Sequence, residues 1–248
     1  MTEIVLALSG GGARGAYHLG VLQYLDEQDI RIKAICCTSI GSILGSSHAC
    51  GVTPKEQLKI LKSKDVRKIF SFAWFKEAIF KIDMSSPAIS ALVRRDKIED
   101  FDIPVYITAL DLQTGNEVLF SSGDAKIICR ASSALVPVFK PVEYDGKVLV
   151  DGGFDNNMPY EPLKKYGLPI VGVNLHPLLK KPSRKRMMSY LKKVIAIRMY
   201  NKVDKQKDLF DHYISNDELS KYSIFSLKNF DELFEMGYAD AKKVLANV

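Results

Sequence analysis

The spacing of apolar and polar positions along the chain predicts strands that lead directly into helices. Ile4–Leu8 is a continuous apolar run, of the kind found in strands buried on both faces, and it ends at Gly10. Apolar residues then recur at helical spacing through residues 16–25. Ile30–Cys37 predicts a second buried strand, and Ile40–Cys50 predicts a second helix made largely of small residues. The first part of the chain therefore contains two units in which a strand turns abruptly into a helix.

The rest of the chain continues this alternation. Thr53, Pro54 and Glu56 form a capping-box signature that predicts a helix start. The remaining predicted elements are a strand over Ile103–Leu110, a turn over 112–117 with a return strand over Val118–Phe120, a helix over Ala125–Ala134, strands over Lys147–Val150 and Ile170–Val173, and a helical tail from Arg184. This order predicts an α/β fold with three layers, α/β/α, around a central, mainly parallel sheet.

Composition limits the classes of protein that fit. A chain of 248 residues with 47% hydrophobic residues can bury a sizeable core, and with no repeat or low-complexity linker we expect one domain over residues 1–248. No apolar run reaches the ~18 residues of a membrane-spanning helix, and the N-terminal run is too short for a signal peptide, so a cytoplasmic location is expected. The four cysteines lack metal-binding or redox spacing, which predicts reduced, buried thiols.

A glycine-rich turn, Gly10-Gly11-Gly12-Ala13-Arg14-Gly15, follows the first strand. Gly-x-Gly-x-x-Gly at this place also fits a dinucleotide-binding turn, which needs an acidic residue at the end of the second strand to hold a ribose. Here that strand ends in Cys36-Cys37-Thr38-Ser39, so dinucleotide binding is disfavoured. Free backbone N–H groups before a helix can equally hold an oxyanion, and the loop is therefore a candidate oxyanion hole.

Ser39 lies where the second strand turns into a helix. A nucleophile elbow uses such a strained turn to expose a serine Oγ, and Gly41 fits the elbow pattern Gly-x-Ser-x-Gly, whereas Cys37 replaces its first glycine. Serine is also a favoured helix N-cap, so an ordinary capping role for Ser39 is the alternative. From this segment taken alone, both interpretations remain open.

Asp151-Gly152-Gly153 follows the apolar strand Val148–Val150. Asp-Gly is a common turn, and the motif alone is weak. Ligand sites of parallel sheets gather at the carboxyl ends of strands, and Gly10, Ser39 and Asp151 all lie at such ends. The sequence therefore predicts that loop, serine and aspartate meet at one edge of the sheet.

With these motifs in order, residues 4–175 resemble the patatin-like phospholipase family, whose pattern is GGGxRG, then GxSxG, then DGG or DGA. The resemblance extends to Arg130–Pro137 before the last motif and to Asn156–Pro159 after it. It implies a patatin-like fold with a nucleophile elbow and a Ser39–Asp151 dyad that uses no histidine. It also implies an oxyanion hole in the loop formed by Gly10, Gly11, Gly12, Ala13, Arg14 and Gly15, with the backbone of Gly11, Gly12 and Ala13 as its donors.

The resemblance further implies a serine lipid acyl hydrolase acting on phospholipids, lysophospholipids or other fatty-acyl esters. No cofactor is expected, and no metal is expected either, because the carboxylates are scattered and no HExxH or EF-hand spacing occurs. Cys37 departs from the family pattern, and a catalytically silent lipid-binding or regulatory protein is the alternative. Arg14 has two interpretations, as a positive charge for the oxyanion or an anionic head group, or as a cap that bonds to loop carbonyls. None of the four histidines, His18, His48, His176 and His212, lies in a motif that makes it a base.

Two further stretches have open interpretations. The aromatic segment Ile69–Phe80 fits an acyl-chain channel or lid, or else a core helix. A basic band over Lys180–Lys193, within a basic helical C-terminal part from about 180 to 248, fits peripheral contact with an anionic membrane surface, or else a solvated helix face. No RNA-binding motif accompanies the charge, so no nucleic-acid partner is expected, and the oligomeric state stays open.

Overall fold

A computed structural model describes residues 2–72, 80–82, 86–177, 190, 194, 197 and 206–246. The strands are β1 (Glu3–Leu8), β2 (Arg31–Thr38), β3 (Phe70–Phe72), β4 (Phe80–Ile82), β5 (Val105–Asp111), β6 (Glu117–Phe120), β7 (Val142–Tyr144), β8 (Lys147–Asp151), β9 (Ile170–Asn174) and β10 (His212–Ser215). The α-helices are α1 (Ala16–Glu27), α2 (Ile40–Ala49), α3 (Pro54–Lys62), α4 (Lys64–Ile69), α5 (Pro87–Leu92), α6 (Ala125–Ser132) and α7 (Phe230–Val244).

The main sheet has the strand order β10-β9-β1-β2-β5-β8-β7, and β6 pairs with β5 outside this path. The five strands from β10 to β5 run parallel to one another, whereas β6, β7 and β8 pair antiparallel with their neighbours. The sheet is thus mixed and mostly parallel, with helices on its flanks, which confirms the predicted fold class. Within the described ranges, no helix is both long and apolar enough to cross a membrane.

The apolar run Ile4–Leu8 of strand β1 packs on both faces of the sheet. Leu6 and Leu8 belong to the core that the sheet forms with α1, α2 and α7, whereas Val5 and Ala7 pack on the opposite face. That opposite face is covered by Met158, Leu163 and Phe210, and Leu163 lies in a 3₁₀ helix over Glu161–Tyr166. Both faces of the strand are therefore buried over Ile4–Leu8, which explains the continuous apolar run.

The capping signature at Thr53 behaves as predicted. The Thr53 side chain accepts a hydrogen bond from the Glu56 N–H, 3.3 Å away, and α3 begins at Pro54. Helix α2 ends at Ala49, and Gly51 has a left-handed φ of 78°. Such a φ favours glycine, because a Cβ would clash with the neighbouring carbonyl.

The structure corrects one premise of the sequence argument. Strand β8 runs antiparallel to β5, so Asp151 does not end a strand of the parallel set. It still reaches the same edge, because β8 pairs only with the last three residues of β5 and Asp151 lies opposite Ala109. The residue before Ala109, Thr108, pairs in turn with Thr38 at the end of β2.

The C-terminal part differs from the predicted helical tail. His212–Ser215 forms strand β10, which pairs parallel with β9 and extends the main sheet. The predicted basic band over Lys180–Lys193 lies outside the described residues except for Tyr190. Most of the aromatic segment also lies outside them. Its described ends, Phe70–Phe72 and Phe80–Ile82, form an antiparallel strand pair, so the interpretation as one continuous helix is wrong.

Candidate active site

Ser39 occupies a strained turn between β2 and α2. Its backbone has φ 55° and ψ −126°, a combination that non-glycine residues rarely adopt. The surroundings hold this conformation in place, because the Ser39 N–H donates to Ser132 Oγ at 2.8 Å. A Cβ at Gly41 would lie 2.7 Å from the Leu8 carbonyl oxygen, so the start of α2 can pack on β1 only with glycine there. Ser39 therefore has the strained strand-to-helix backbone geometry that a nucleophile elbow requires.

The Ser39 hydroxyl is committed to Asp151. Ser39 Oγ donates to Asp151 Oδ2 at 2.7 Å and makes no capping bond to α2, so the N-cap interpretation is wrong. The other carboxylate oxygen, Oδ1, accepts from the Gly153 N–H at 2.8 Å, and the Asp151 N–H donates to the Ala134 carbonyl at 3.1 Å. Both carboxylate oxygens are therefore held by hydrogen bonds, and Oδ2 faces the Ser39 hydroxyl.

The environment of Asp151 suits it to take a proton. Burial raises the pKa of its carboxyl from 3.8 to about 6, because the charged form loses solvation, while the hydrogen bonds from Ser39 and Gly153 act in the opposite direction. A carboxylate with a pKa near 6 is ionised at neutral pH and is a stronger base than an exposed aspartate. The raised pKa is the compensation that an aspartate would need in order to act as a base.

The two strands beneath the dyad are joined by their threonines. Thr38 Oγ1 and Thr108 Oγ1 lie 2.7 Å apart, and Thr38 Oγ1 donates to the Asn156 carbonyl at 3.1 Å. Since the Thr38 proton goes to Asn156, Thr108 is the donor between the two hydroxyls. A Cβ at Gly152 would lie 2.6 Å from the Thr108 carbonyl oxygen, so the base motif needs glycine to approach β5. These contacts set the separation between Ser39 and Asp151.

The glycine loop lies directly beside the serine. A Cβ at Gly10 would lie 2.9 Å from Ser39 Cβ, and the Gly10 N–H donates to the Asn157 carbonyl at 3.2 Å. The Ala13 N–H donates to the Ile224 carbonyl at 2.8 Å. This corrects the expected donor set, because the Ala13 amide is already occupied.

Two amides of the loop keep their hydrogens free. Within the described ranges, the N–H groups of Gly11 and Gly12 have no backbone acceptor, whereas the Arg14 N–H turns back to the Gly11 carbonyl at 3.3 Å. Gly15, the last residue of the loop, packs tightly against the start of α2, because a Cβ there would lie 2.5 Å from a side-chain carbon of Ile40. An oxyanion site in this loop would therefore use Gly11 and Gly12.

Residues 6–164 match the family model of the patatin-like phospholipases. The chain belongs to the patatin-like phospholipase family. It is 33% identical over 163 residues to an uncharacterized NTE family protein of Mycobacterium tuberculosis, a match that covers 65% of this chain and 45% of the relative. It is 32% identical over 178 residues to lysophospholipase NTE1 of Cryptococcus neoformans, a match that covers 67% of this chain and 11% of the relative. The chain spans less than half the length of either relative.

The fold is also similar to that of a solved structure. VipD from Legionella pneumophila superimposes with a TM-score of 0.63 over 99% of this chain and 66% of VipD, at 13% sequence identity. At this identity the likeness concerns the fold alone.

Arg14 of the family motif acts as a cap. Its Nε donates to the Tyr222 carbonyl and its Nη1 to the Leu175 carbonyl, both at 2.9 Å. The side chain is buried, and burial lowers its pKa to about 10, so the guanidinium stays charged at neutral pH. The geometry favours the carbonyl-capping interpretation over direct contact with an anionic head group.

Cys37, the departure from the family pattern, fits the elbow without entering the site. Its Sγ donates to the Tyr106 carbonyl at 3.5 Å, and the side chain lies in the core beside α2. Burial raises the pKa of its thiol well above the usual value. All four cysteines are free and buried, as predicted. The thiol therefore packs away from the dyad and leaves it open.

The histidines take no part in the dyad. His18 Nε2 bonds to the Ser9 carbonyl oxygen at 2.8 Å, and His48 Nε2 lies 3.6 Å from Asp26 Oδ1. Burial lowers the pKa of His18 and of His48 to about 4 and that of His176 to about 3. They are therefore neutral at pH 7. Across the described part of the chain, no group of three or more His, Cys, Asp or Glu side chains could hold a metal ion.

Sequence reasoning missed several supporting residues. Ser132, which holds the Ser39 amide, lies in the Arg130–Pro137 segment that the family resemblance included, so a signal for it existed. Thr108 had no such signal, because only the pairing of β2 with β5 brings it beside Thr38. Ile224 had none either, since it contributes a backbone carbonyl from a distant part of the chain.

Proposed function

We propose that this protein is a serine lipid acyl hydrolase that cleaves carboxylic esters of phospholipids or lysophospholipids. The observation that carries the proposal is the 2.7 Å hydrogen bond from Ser39 Oγ, on its strained turn, to the buried carboxylate of Asp151. Membership of the patatin-like phospholipase family supports a lipid substrate, as does the similarity to proteins named lysophospholipase.

The first half of the reaction uses all three motifs. As Ser39 Oγ attacks the ester carbonyl carbon, its proton passes to Asp151 Oδ2 along the existing hydrogen bond. The carbonyl oxygen becomes an oxyanion, and the free amides of Gly11 and Gly12 stabilise it. Collapse of this intermediate expels the alcohol, which takes the proton back from Asp151. Ser39 is left as an acyl ester.

The second half returns the enzyme to its starting state. Water attacks the acyl ester and gives its proton to Asp151, while the loop amides again hold the oxyanion. When the intermediate collapses, the Ser39 oxygen leaves and regains a proton from Asp151, and a fatty acid is released. One aspartate thus serves as base and acid in each half, because its pKa lies close to the working pH.

The catalytically silent alternative loses its main motivation. It was suggested by Cys37, whose side chain packs into the core and leaves the elbow formed. A silent protein would also have no need for a strained Ser39 backbone or for an aspartate with a raised pKa. Both features favour an enzyme.

Active-site labelling tests the proposal. A fluorophosphonate should label the wild type at Ser39, and the wild type should hydrolyse short-chain p-nitrophenyl esters. Ser39→Ala should abolish both, while Ser90→Ala, a change of an exposed serine, should leave both unchanged. Full hydrolysis by a folded Ser39→Ala protein, or no labelling of the wild type, would overturn the assignment.

Substrate class needs a separate comparison. Release of fatty acid from a lysophospholipid and from a diacyl phospholipid of the same head group should be measured with wild type and Ser39→Ala. The proposal expects at least one of these to be cleaved in a Ser39-dependent manner. Activity confined to p-nitrophenyl esters would restrict the protein to a general esterase.

A further inference from the structure

We propose that residues 222–224, here called the C-terminal strap, position the oxyanion loop, and that Arg14 is the positioning residue that ties loop to strap. This inference rests on the proposed function, because it assigns the strap a part in the same site. The strap and the helix that follows it lie outside residues 6–164, the range that the family model covers.

The strap contacts the loop through its backbone. The Ile224 carbonyl accepts from the Ala13 N–H at 2.8 Å, and the Tyr222 carbonyl accepts from Arg14 Nε at 2.9 Å. Arg14 Nη1 donates at 2.9 Å to the Leu175 carbonyl, just beyond β9. Through its buried side chain, Arg14 therefore links the loop to the strap and to the end of β9.

Gly12 shows how closely the two backbones approach. A Cβ at Gly12 would lie only 2.3 Å from the Ile224 carbonyl oxygen, and Gly12 also has a left-handed φ of 57°. Both the contact and the backbone conformation require glycine. The strap thus lies in direct contact with one of the two residues whose amides remain free for an oxyanion.

The helices next to the loop and the strap hold these two segments in position relative to each other. Helix α1 follows the loop, helix α7 follows the strap, and the two cross at glycines on both sides. A Cβ at Gly20 of α1 would lie 1.9 Å from the Phe234 carbonyl oxygen, and a Cβ at Gly237 of α7 would lie 2.1 Å from the Tyr17 carbonyl oxygen. We therefore expect that a shift of α7 against α1 moves the strap relative to the loop.

The strap also decides which loop amides are available. By occupying the Ala13 amide it leaves Gly11 and Gly12 as donors, and it fixes the direction in which their hydrogens point. Catalysis by an oxyanion site depends on donors that are oriented before the reaction. Loosening the strap should therefore slow the chemical step while the dyad itself stays intact.

Two variants test the contact between the strap and the loop. Arg14→Met removes both hydrogen bonds to the carbonyls but keeps a long side chain, and Gly237→Ala adds one methyl at the crossing of α1 and α7. Ala239→Ser, on the exposed face of α7, is the matched control. In both strap variants we expect kcat to fall about tenfold or more, with KM within about twofold of wild type. The acid limb of the pH profile should not move, and the control should match wild type.

Hydrogen exchange gives a readout that needs no activity. In the folded variants, amide exchange in a peptide covering residues 11–14 should be faster than in wild type, with thermal unfolding measured alongside. Unchanged kcat and unchanged exchange in both variants would overturn the inference. If wild type neither labels nor hydrolyses esters, the proposed function fails, and the exchange rates alone decide whether the strap holds the loop. If one of the two strap variants does not fold, the other decides the outcome.

Discussion

Ser39 Oγ and Asp151 Oδ2 lie 2.7 Å apart, in direct contact with no side chain between them. In a triad, a histidine at that place would carry the proton, whereas here the carboxylate meets the hydroxyl itself. In the proposed mechanism the base is therefore the aspartate, and its own pKa should set the pH at which the site works.

The pH dependence of hydrolysis follows from the raised pKa of Asp151. Since burial raises this pKa to about 6 and the base must be ionised, kcat/KM should rise with pH through about 6 and then level off. The measurement is a pH series with an uncharged p-nitrophenyl ester. An acid limb near pH 4 would mean that burial does not control the base.

Asp151→Asn should inactivate the enzyme and stabilise it. The folded-state pKa lies above the unfolded value of 3.8, so ionised Asp151 opposes folding, by about 3 kcal/mol once the pH exceeds about 6. This penalty is absent below pH 3.8 and develops between 3.8 and 6. The variant should therefore unfold at a higher temperature than wild type at pH 8 but at a similar one near pH 4. A loss of stability at pH 8 would contradict this account.

Cys37→Gly should not improve the enzyme, although it restores the family motif. The Sγ atom packs in the core and bonds to the Tyr106 carbonyl, so its removal leaves a cavity and places glycine in a buried strand. We expect a loss of about 1–3 kcal/mol in the free energy of unfolding and no gain in kcat. Urea unfolding and ester hydrolysis measure both. A clear rise in turnover would show that the thiol restricts the site.

Single histidine variants should retain most of the activity. His18 and His176 are buried, His48 is largely buried beside Asp26, and His212 lies on β10 at the sheet edge. In the part of the chain that the structure describes, none of them bonds to Ser39 or Asp151. Each is changed to Gln and assayed against Ser39→Ala. A folded histidine variant as inactive as Ser39→Ala would replace the dyad with a triad.

The basic band over Lys180–Lys193 predicts attachment to anionic membranes. Each basic residue near such a surface contributes about 1 kcal/mol, and salt should weaken the binding sharply. Sedimentation with anionic and neutral vesicles, for wild type and for a variant with the band's Lys and Arg residues changed to Gln, tests this. Equal binding to both lipid types would remove the prediction.

Much of the site could be predicted from the sequence because its signals are local. A glycine loop between a strand and a helix, a serine at an abrupt turn and an Asp-Gly-Gly after an apolar strand depend on residues close together in the chain. The same holds for the Thr53 cap, since capping needs only the next helical turn. The sequence by itself thus determined the mostly parallel layered fold and the identity of the candidate dyad.

Only the tertiary structure decided how these residues act together. The reversed direction of β8 is set by pairing between Ala109 and Asp151, and such long-range registers leave no mark on local periodicity. The pKa of Asp151 depends on burial by the whole fold, and the occupied amide of Ala13 depends on a carbonyl at Ile224. Local sequence patterns determine the helices, the strands and the candidate residues. Burial and backbone contacts between distant segments determine the pKa of Asp151, the strain at Ser39 and which loop amides stay free.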